Sequence, residues 1–219
     1  MLAKRNSGIL IAIVLIIILS GCSEKKTPVE QMYNVLESVV TKEKVFEDQQ
    51  DPLIVLETRE KELYDQIINL GMKEYEQIVK LSDEALTLSQ QRKAHMEKET
   101  TSLKESEHEF KKIADIKNNL ENPTLKKMAN ELYDLMMKRY QAHDELYKEY
   151  SEALQYDEGL YKMFQNKNLS LEDLEIQVTK LNETYKKVYA ANENFNLYTE
   201  QYNEKKLSFY KKAGLKSNE

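Results

Sequence analysis

The sequence predicts an all-α protein, an antiparallel up-and-down four-helix bundle with long helices. Its 219 residues include only five glycines and three prolines, which leaves little punctuation for strands and turns. Charged residues make up 32% of the chain and apolar residues 41%, a balance typical of long amphipathic helices. The breaks that do occur delimit four segments of about 40 to 45 residues joined by short connections, which favours antiparallel neighbours.

Each break carries residues suited to end or to start a helix. Thr27-Pro28-Val29-Glu30 supplies an N-cap hydroxyl, a proline at the first helical position and a glutamate for a capping box. Gly71 is the predicted C′ residue of the first helix. The ranges Asn119–Pro123 and Asn166–Ser170 break the chain again, and Ser170 with Asp173 matches a second capping box. Each segment would be about 65 Å long at 1.5 Å per residue.

Apolar spacing supports the bundle and raises one exception. The last segment follows a strict three-four spacing, which is typical of the seam of a supercoiled bundle. Its seam positions are Leu171, Leu174, Val178, Leu181, Tyr185, Val188, Asn192, Phe195, Thr199, Tyr202, Lys206 and Phe209. In the first segment, Pro52 removes a helical hydrogen bond and crowds the preceding turn. We therefore expect the first helix to be kinked, or to end and restart, near Pro52.

The first 21 residues have the pattern of a lipoprotein signal peptide. Lys4 and Arg5 form a positive n-region, and Ile9–Leu19 is an apolar run too short for a span of about 20 residues. Leu19, Ser20 and Gly21 precede the only cysteine, Cys22, and resemble a bacterial lipobox. The motif predicts removal of residues 1–21 and a diacylglyceryl unit on Cys22, with or without a further N-acyl chain. An uncleaved anchor helix with an inert cysteine is the alternative.

The predicted organisation is a lipidated cysteine with a short tether, residues 22–27, followed by one bundle domain, residues 28–219. Because no second cysteine follows, disulfides and cysteine-based metal sites are excluded within the mature chain. The net charge of −6 disfavours nucleic acid as a partner. Four antiparallel helices return the chain to the end of the bundle where the first helix begins, which is the end near the anchor. We therefore expect the lysines of the last segment to lie near the anchor: Lys205, Lys206, Lys211, Lys212 and Lys216. These lysines could serve an anionic membrane or the helix macrodipole.

Three stretches resemble the YkyA-like family of cell-wall binding lipoproteins from Gram-positive bacteria. They are "FEDQQDPL", "ELYDQIINLGMKEYEQIVKLSDEAL" and "NENFNLYTEQYNEKKLSFYKKAGL". The resemblance covers nearly the whole mature chain. It implies a lipid-anchored helical bundle and an envelope location. We expect this location to be the extracytoplasmic face of the cell membrane, with peptidoglycan or another envelope protein as partner.

Catalytic and metal signatures are weak. A ferritin-like metal centre would need a Glu-x-x-His on each of two helices, and only Glu105 with His108 matches, at a position expected to face solvent. Neither a Gly-x-Ser-x-Gly motif nor a glycine-rich loop occurs. We therefore expect no catalytic residues, no metal and no cofactor. The predicted function is non-catalytic envelope binding, and the alternatives are a wall hydrolase, an accessory to an envelope enzyme, or a small-ligand carrier.

Tyrosines suggest one candidate binding surface. Four of the fourteen recur in the third segment at multiples of seven, one step from seam leucines: Tyr133, Tyr140, Tyr147 and Tyr161. A row of rings with polar tips suits stacking on sugars or stem peptides. The same row could instead cover the seam while its hydroxyls reach water.

Charged residues at seam positions suggest a polar layer across the bundle. Reflecting the helices about their connections places four polar residues at similar heights: Glu43, Glu99, Arg139 and Asn192. His143 lies beside Arg139. Such a layer would fix the register of the helices, since buried polar groups reject slipped packings. It could also line a small polar cavity that admits a ligand.

Overall fold

The computed structural model describes residues 26–70 and 72–216, which are helical apart from the helix ends and the short connections. Four long helices alternate in direction: α1 (Pro28–Asn69), α2 (Tyr75–Phe110), α4 (Pro123–Phe164) and α5 (Leu171–Ala213). A short helix α3 (Ile113–Ile116) lies in the connection between α2 and α4, and 3₁₀ turns occupy Met72–Glu74 and Lys117–Asn119. The predicted four-helix architecture is confirmed. The signal segment, the lipobox, Cys22 and Gly71 lie outside the described residues.

The predicted helix starts are set by side-chain caps. At α1, the Thr27 amide donates to Glu30 Oε2 at 2.7 Å and the Glu30 amide donates to Thr27 Oγ1 at 3.2 Å, which completes the capping box. At α4, Asn122 Oδ1 accepts from the amides of Thr124 and Leu125. At α5, Ser170 Oγ accepts from the Asp173 amide at 3.4 Å.

Helix α1 continues through Pro52 without interruption. The alternative that the helix ends and restarts there is therefore wrong. Proline cannot donate to the carbonyl of Asp48, so one helical hydrogen bond is missing at this turn. Packing of α1 against the rest of the bundle offsets that loss, because Val39 before the proline and Leu53 after it are buried.

The bundle consists of two hairpins, α1 with α2 and α4 with α5, that meet through α2 and α4. We call its two ends the Thr27 end, with the α2–α4 connection and the end of α5, and the Ser170 end, with the other two connections. One core cluster occupies the Thr27 half and includes Met32, Phe110, Leu132 and Phe209. A second cluster occupies the Ser170 half and includes Leu63, Leu160 and Leu181.

Two predicted seam positions of α5 are exposed to solvent. Leu171 is 81% exposed, because it is the first residue of α5 and lies beyond the facing helices. Asn192 is exposed, since Ala191 takes the inward position at that turn. Among the described helices, none is long and apolar enough to cross a membrane.

Replacing Pro52 with alanine should stabilise the protein. Proline in a helix interior is about 3 kcal/mol less favourable than alanine, and the greater freedom of the unfolded chain offsets part of the gain. We expect Pro52→Ala to raise the free energy of unfolding by about 1 to 3 kcal/mol, measured by urea denaturation followed by circular dichroism. The matched control is Pro123→Ala at the first position of α4, where proline is tolerated and little change is expected. A Pro52→Ala variant no more stable than the parent would contradict a continuous α1.

Candidate functional site

A cleft of about 800 Å³ separates α1 from α5 in the Ser170 half of the bundle. Its walls come from α1 and α5, and its floor from the inner helices α2 and α4. The α1 wall includes Ile54, Glu57, Lys61, Tyr64 and Asp65. The α5 wall includes Val178, Asn182, Tyr185, Tyr189 and Asn192. The floor includes Arg92, Met96, Tyr150, Asp157 and Tyr161. Because the two outer helices stand apart here, the interior of the bundle is reachable from solvent along this seam.

Arg92 is the centre of the cleft floor and is only 3% exposed. Its Nη1 lies 2.7 Å from Glu60 Oε2 on α1 and 3.2 Å from Asp157 Oδ2 on α4. Its Nε donates to the Tyr150 hydroxyl at 2.9 Å, and its Nη2 donates to the Tyr185 hydroxyl on α5 at 3.1 Å. One guanidinium on α2 therefore joins all four long helices at a single height. We call Arg92, Glu60, Asp157, Tyr150 and Tyr185 the Arg92 cluster.

Hydrogen bonds continue outward from the Arg92 cluster. The Tyr185 hydroxyl donates to Asp157, and the Tyr150 hydroxyl donates to Glu57 Oε1 at 2.6 Å. Ser89 Oγ donates to Glu60 Oε1 at 3.1 Å. The floor is thus a connected polar network, and Glu57 carries it to the partly exposed wall of the cleft.

The floor of the cleft holds one permanently charged cation, Arg92, and one carboxyl group with a raised pKa, Asp157. Burial lowers the pKa of Arg92, but Tyr185 and Tyr150, followed by Glu60 and Asp157, raise it by more, so Arg92 stays charged. Burial, with Glu60 next, raises the pKa of Asp157 to about 7 against the opposing effects of Arg92 and Tyr185. Burial also raises the pKa of Tyr150 and of Tyr185, which keeps both hydroxyls protonated as donors.

The walls of the cleft favour binding of a neutral or positively charged group. Five lining residues are acidic and two are basic: Glu57, Glu60, Asp65, Glu99 and Asp157 against Lys61 and Arg92. Tyrosine rings and apolar side chains supply stacking surfaces, and Tyr189 and Ile54 are 65% and 59% exposed. In the ranges 26–70 and 72–216 no group of three or more His, Cys, Asp and Glu side chains is arranged to hold a metal ion.

The predicted tyrosine row does not form a solvent-facing surface. Tyr140 and Tyr161 are each 2% exposed, so neither presents its ring at the surface, and the prediction of a ligand-facing row is wrong for Tyr140, which does not line the cleft. Their hydroxyls find partners inside the bundle, and that of Tyr140 lies 2.6 Å from Ser106 Oγ. Tyr133 stacks on Phe110 with its ring centroid at 5.6 Å, and Tyr147 packs on a small core cluster. Tyr161 alone of the four lines the cleft, at its floor.

The predicted polar layer divides into two groups. Arg139, 3% exposed, places Nη1 2.8 Å from Glu43 Oε1 and donates from Nε to Thr199 Oγ1 at 2.9 Å. Its guanidinium also lies 4.9 Å from the Phe195 ring centroid. A second cavity of about 340 Å³ opens beside this group, between α1 and α5.

The second group is built on Glu99, which lies 2.9 Å from His143 Nε2 and accepts from Gln50 Nε2 at 2.9 Å. Asn192 belongs to neither group. Its placement in the layer is wrong, because Asn192 is exposed at the rim of the cleft.

Sequence reasoning missed the Arg92 cluster, although the signal was present. Glu60 falls on the α1 seam with Leu53, Leu63 and Ile67, at spacings of seven, three and four. Arg92 falls on the α2 seam between Ser89 and Met96. A three-four count applied to α1 and α2 would have placed both charges inside the bundle, where each requires a partner.

Comparison with known proteins identifies the family of this chain. Residues 27–212 match a family model, YkyA, described as "Putative cell-wall binding lipoprotein". This chain belongs to the YkyA family. A relative from Bacillus subtilis (strain 168), "Uncharacterized lipoprotein YkyA", is 35% identical over 213 residues, which are 96% of this chain and 95% of the relative.

The YkyA-family fold also resembles a solved structure. A crystal structure of a conserved protein of unknown function from Staphylococcus aureus superposes with a TM-score of 0.67 at 18% identity. The match covers 85% of this chain and 97% of that one. It supports the helical-bundle fold of this YkyA-family chain.

Removing Arg139 should strongly destabilise the protein. Arg139→Leu leaves Glu43 without its cation, and breaking a buried pair costs about 3 to 5 kcal/mol. Because Glu99 pairs with His143, the double variant Glu43→Leu/Arg139→Leu should recover much of the loss. Urea denaturation measures both, with exposed Lys138→Leu as the neighbouring control, expected to change stability by less than about 0.5 kcal/mol. An Arg139→Leu variant as stable as the parent would show that the Glu43 pair is solvated.

Asp157 should make stability fall as pH rises. In the unfolded chain this carboxyl titrates near its ordinary value of 3.8, whereas the folded protein holds the proton to about pH 7. Its stabilising contribution is complete below pH 3.8 and is lost as pH rises to about 7, with a slope of at most about 1.4 kcal/mol per pH unit. Asp157→Asn removes the titration. We therefore expect the unfolding free energy of the parent, minus that of Asp157→Asn, to decline across this range in urea titrations.

A second variant checks the cause of this decline. The Tyr185 hydroxyl favours the ionised form of Asp157, so Tyr185→Phe should extend the decline to higher pH. If the difference in unfolding free energy between the parent and Asp157→Asn stays constant from pH 4 to 7, the pKa of Asp157 is not raised and this prediction is wrong.

Proposed function

We propose that this protein is anchored through a lipid on Cys22 to the outer face of the bacterial cell membrane and binds cell-wall material in the α1–α5 cleft without catalysis. The lipobox-like residues before Cys22 support the anchor, and so does membership of a family described as lipoproteins. The same family description supports a cell-wall ligand. The cleft is the feature of the bundle suited to hold it.

The observation that carries the proposal is a tyrosine-lined opening above a buried polar floor. Wall peptidoglycan presents sugar faces, hydroxyls and amino groups. Tyr64 and Tyr189 offer rings against which sugar faces can stack. Glu57 and Asp65 offer carboxylate acceptors for hydroxyl or ammonium groups. The acidic excess of the lining disfavours polyanionic wall polymers, because like charges would be brought together.

The Arg92 cluster supports a binding role rather than a catalytic one. Its acids and hydroxyls are committed to one another, and Asp157 is 5% exposed. Asp157 Oδ2 accepts from both Arg92 and Tyr185. One observation favours a wall hydrolase instead: an acid with a pKa of about 7 keeps its proton in about half of the molecules at neutral pH and could act as a general acid. That reading requires Asp157 to leave its partners and reach a glycosidic or amide bond.

Pulldown with purified peptidoglycan sacculi, run beside zymography with the same protein, separates the two functions. Binding without clearing of the sacculi supports the proposal. Clearing that is lost in Asp157→Asn supports the hydrolase. Absence of both binding and clearing contradicts a cell-wall function for the cleft.

Variants of exposed cleft residues place the binding site. Tyr189→Ser removes a ring that is 65% exposed and lies on the α5 wall, so it should weaken sacculus binding about 5- to 100-fold, as for loss of an aromatic contact of about 1 to 3 kcal/mol. Leu197→Ser is the matched control, because Leu197 lies on the same helix, is 47% exposed and does not line the cleft. Equal binding by both variants would place the ligand elsewhere.

A further inference from the structure

Charge is unevenly divided between the two halves of the bundle. Gln49, Glu99, His143 and Phe195 mark the middle, because His143 contacts Glu99 and Phe195, and Gln49 contacts the neighbouring His95. The Ser170 half, residues 50–96 and 144–192, contains 12 Lys and Arg against 19 Asp and Glu. The Thr27 half, residues 26–49, 97–143 and 193–216, contains 17 of each. The net negative charge of the described chain therefore lies in the half that holds the cleft.

Within the Thr27 half, positive charge is concentrated at the end of α5. Residues 205–216 include five lysines and no acidic residue. Lys205 pairs with Glu131 at 2.7 Å, and Lys206 is buried. The other three, Lys211, Lys212 and Lys216, are exposed, and across residues 26–70 and 72–216 no carboxylate forms an ion pair with them. We call these three the terminal lysines.

The packing of the helix ends fixes the terminal lysines beside the start of α1. The rings of Tyr33 and Tyr210 lie 5.4 Å apart, and the Tyr210 hydroxyl donates to Glu37 Oε1 at 2.8 Å. After α5, Gly214 adopts a left-handed conformation with φ of 71°, and the Leu215 amide donates to the Tyr210 carbonyl. Leu215 then packs on the core cluster of this half, which holds Lys216 against the end of the bundle.

Covalent reach brings this end close to the predicted anchor. Four residue steps separate Cys22 from Lys26, the first described residue, and an extended chain covers about 14 Å in that distance. If Cys22 carries the lipid, a tether of this length lets the terminal lysines approach the membrane surface to within a Debye length, about 8 Å, where anionic headgroups attract them.

We infer that the Thr27 end is a docking face for anionic phospholipid headgroups, bound through Lys211, Lys212 and Lys216. This inference rests on the proposed anchor at Cys22 but not on the identity of the cleft ligand. The anionic membrane attracts the Thr27 end and repels the acidic Ser170 half, so the long axis of the bundle is held roughly perpendicular to the membrane. The cleft is then directed away from the membrane, toward the wall.

Helix-dipole stabilisation is a competing explanation for two of the three lysines. Cations in the last turn of a helix are favourable wherever the protein resides, and Lys211 and Lys212 occupy that turn of α5. Lys216 lies beyond the Gly214 cap, where the dipole gives it no role. Three lysines that form no ion pair with a carboxylate in the described part of the chain, at the end nearest the predicted anchor, favour a surface ligand.

Vesicle sedimentation tests the docking face without the lipid. The protein used is the chain from Ser23 onward, which retains every described helix. It should sediment with vesicles containing phosphatidylglycerol and not with vesicles of phosphatidylcholine alone. Binding should disappear near 1 M salt, where the Debye length is about 3 Å. Indifference to phosphatidylglycerol or to salt overturns the inference.

Substitutions assign the binding to the terminal lysines. Each lysine near an anionic surface contributes about fivefold to binding, so the triple variant Lys211→Gln/Lys212→Gln/Lys216→Gln should lose about 100-fold. The control Lys73→Gln/Lys80→Gln/Lys93→Gln removes the same charge from exposed positions in the Ser170 half and should bind as the parent does. Equal loss in both variants would show a net-charge effect and overturn the docking face.

Two further outcomes separate related possibilities. Soluble polyphosphate that binds through the terminal lysines while vesicles do not would assign the face to a polyanion and overturn the membrane inference. Failure of sacculus binding together with intact vesicle binding would reject the cleft function and leave the docking face standing.

Discussion

The relative heights of the four long helices depend on the buried guanidinium of Arg92, which has partners on the three other long helices. Removing the Arg92 guanidinium from water costs several kcal/mol, and this cost is offset only while its hydrogen bonds are made. Its partners are Glu60 on α1, Tyr150 and Asp157 on α4, and Tyr185 on α5. A slip of any long helix by one turn, about 5.4 Å, would break at least one of these hydrogen bonds and leave a charged or hydroxyl group buried without its partner. The cluster therefore sets the relative heights of the helices where apolar packing alone would tolerate alternatives.

The same cluster accounts for the cleft above it. In the Thr27 half, Phe46 on α1 packs against Phe195 on α5 with ring centroids 5.7 Å apart, and the cavity between these two helices is smaller, about 340 Å³. In the Ser170 half, the floor is polar, and Glu57 and Tyr185 extend it toward the walls. These groups are satisfied by one another, and the side that faces the seam can be solvated. The outer helices thus remain apart over the part of the bundle that our proposal assigns to binding.

The two ends of the bundle differ in charge. Acidic residues in excess surround the cleft, and at the opposite end lie exposed lysines that form no ion pair with a carboxylate of the described residues. A lipid on Cys22 would restrain only one point of the chain, whereas an oriented charge distribution restrains the axis of the bundle. The proposed anchor, docking face and cleft therefore form one arrangement, in which the part of the protein farthest from the membrane is the part open to a wall ligand.

Local chemistry decided what could be predicted from the sequence alone. The caps at Thr27 and Asn122, the absence of strands in the described ranges and the four-helix count follow from interactions within a few residues, which a sequence displays directly. The pairing of Glu43 with Arg139 was within reach because the two seams could be aligned by reflecting helices about their connections. Three features depend on the tertiary structure alone. Tyr140 points inward to Ser106, Ala191 rather than Asn192 is buried, and Arg92 joins groups from all four long helices. Whether a residue at the edge of the apolar face is buried or exposed depends on the rotation of its helix about its own axis. That rotation is set by contacts between residues far apart in the chain.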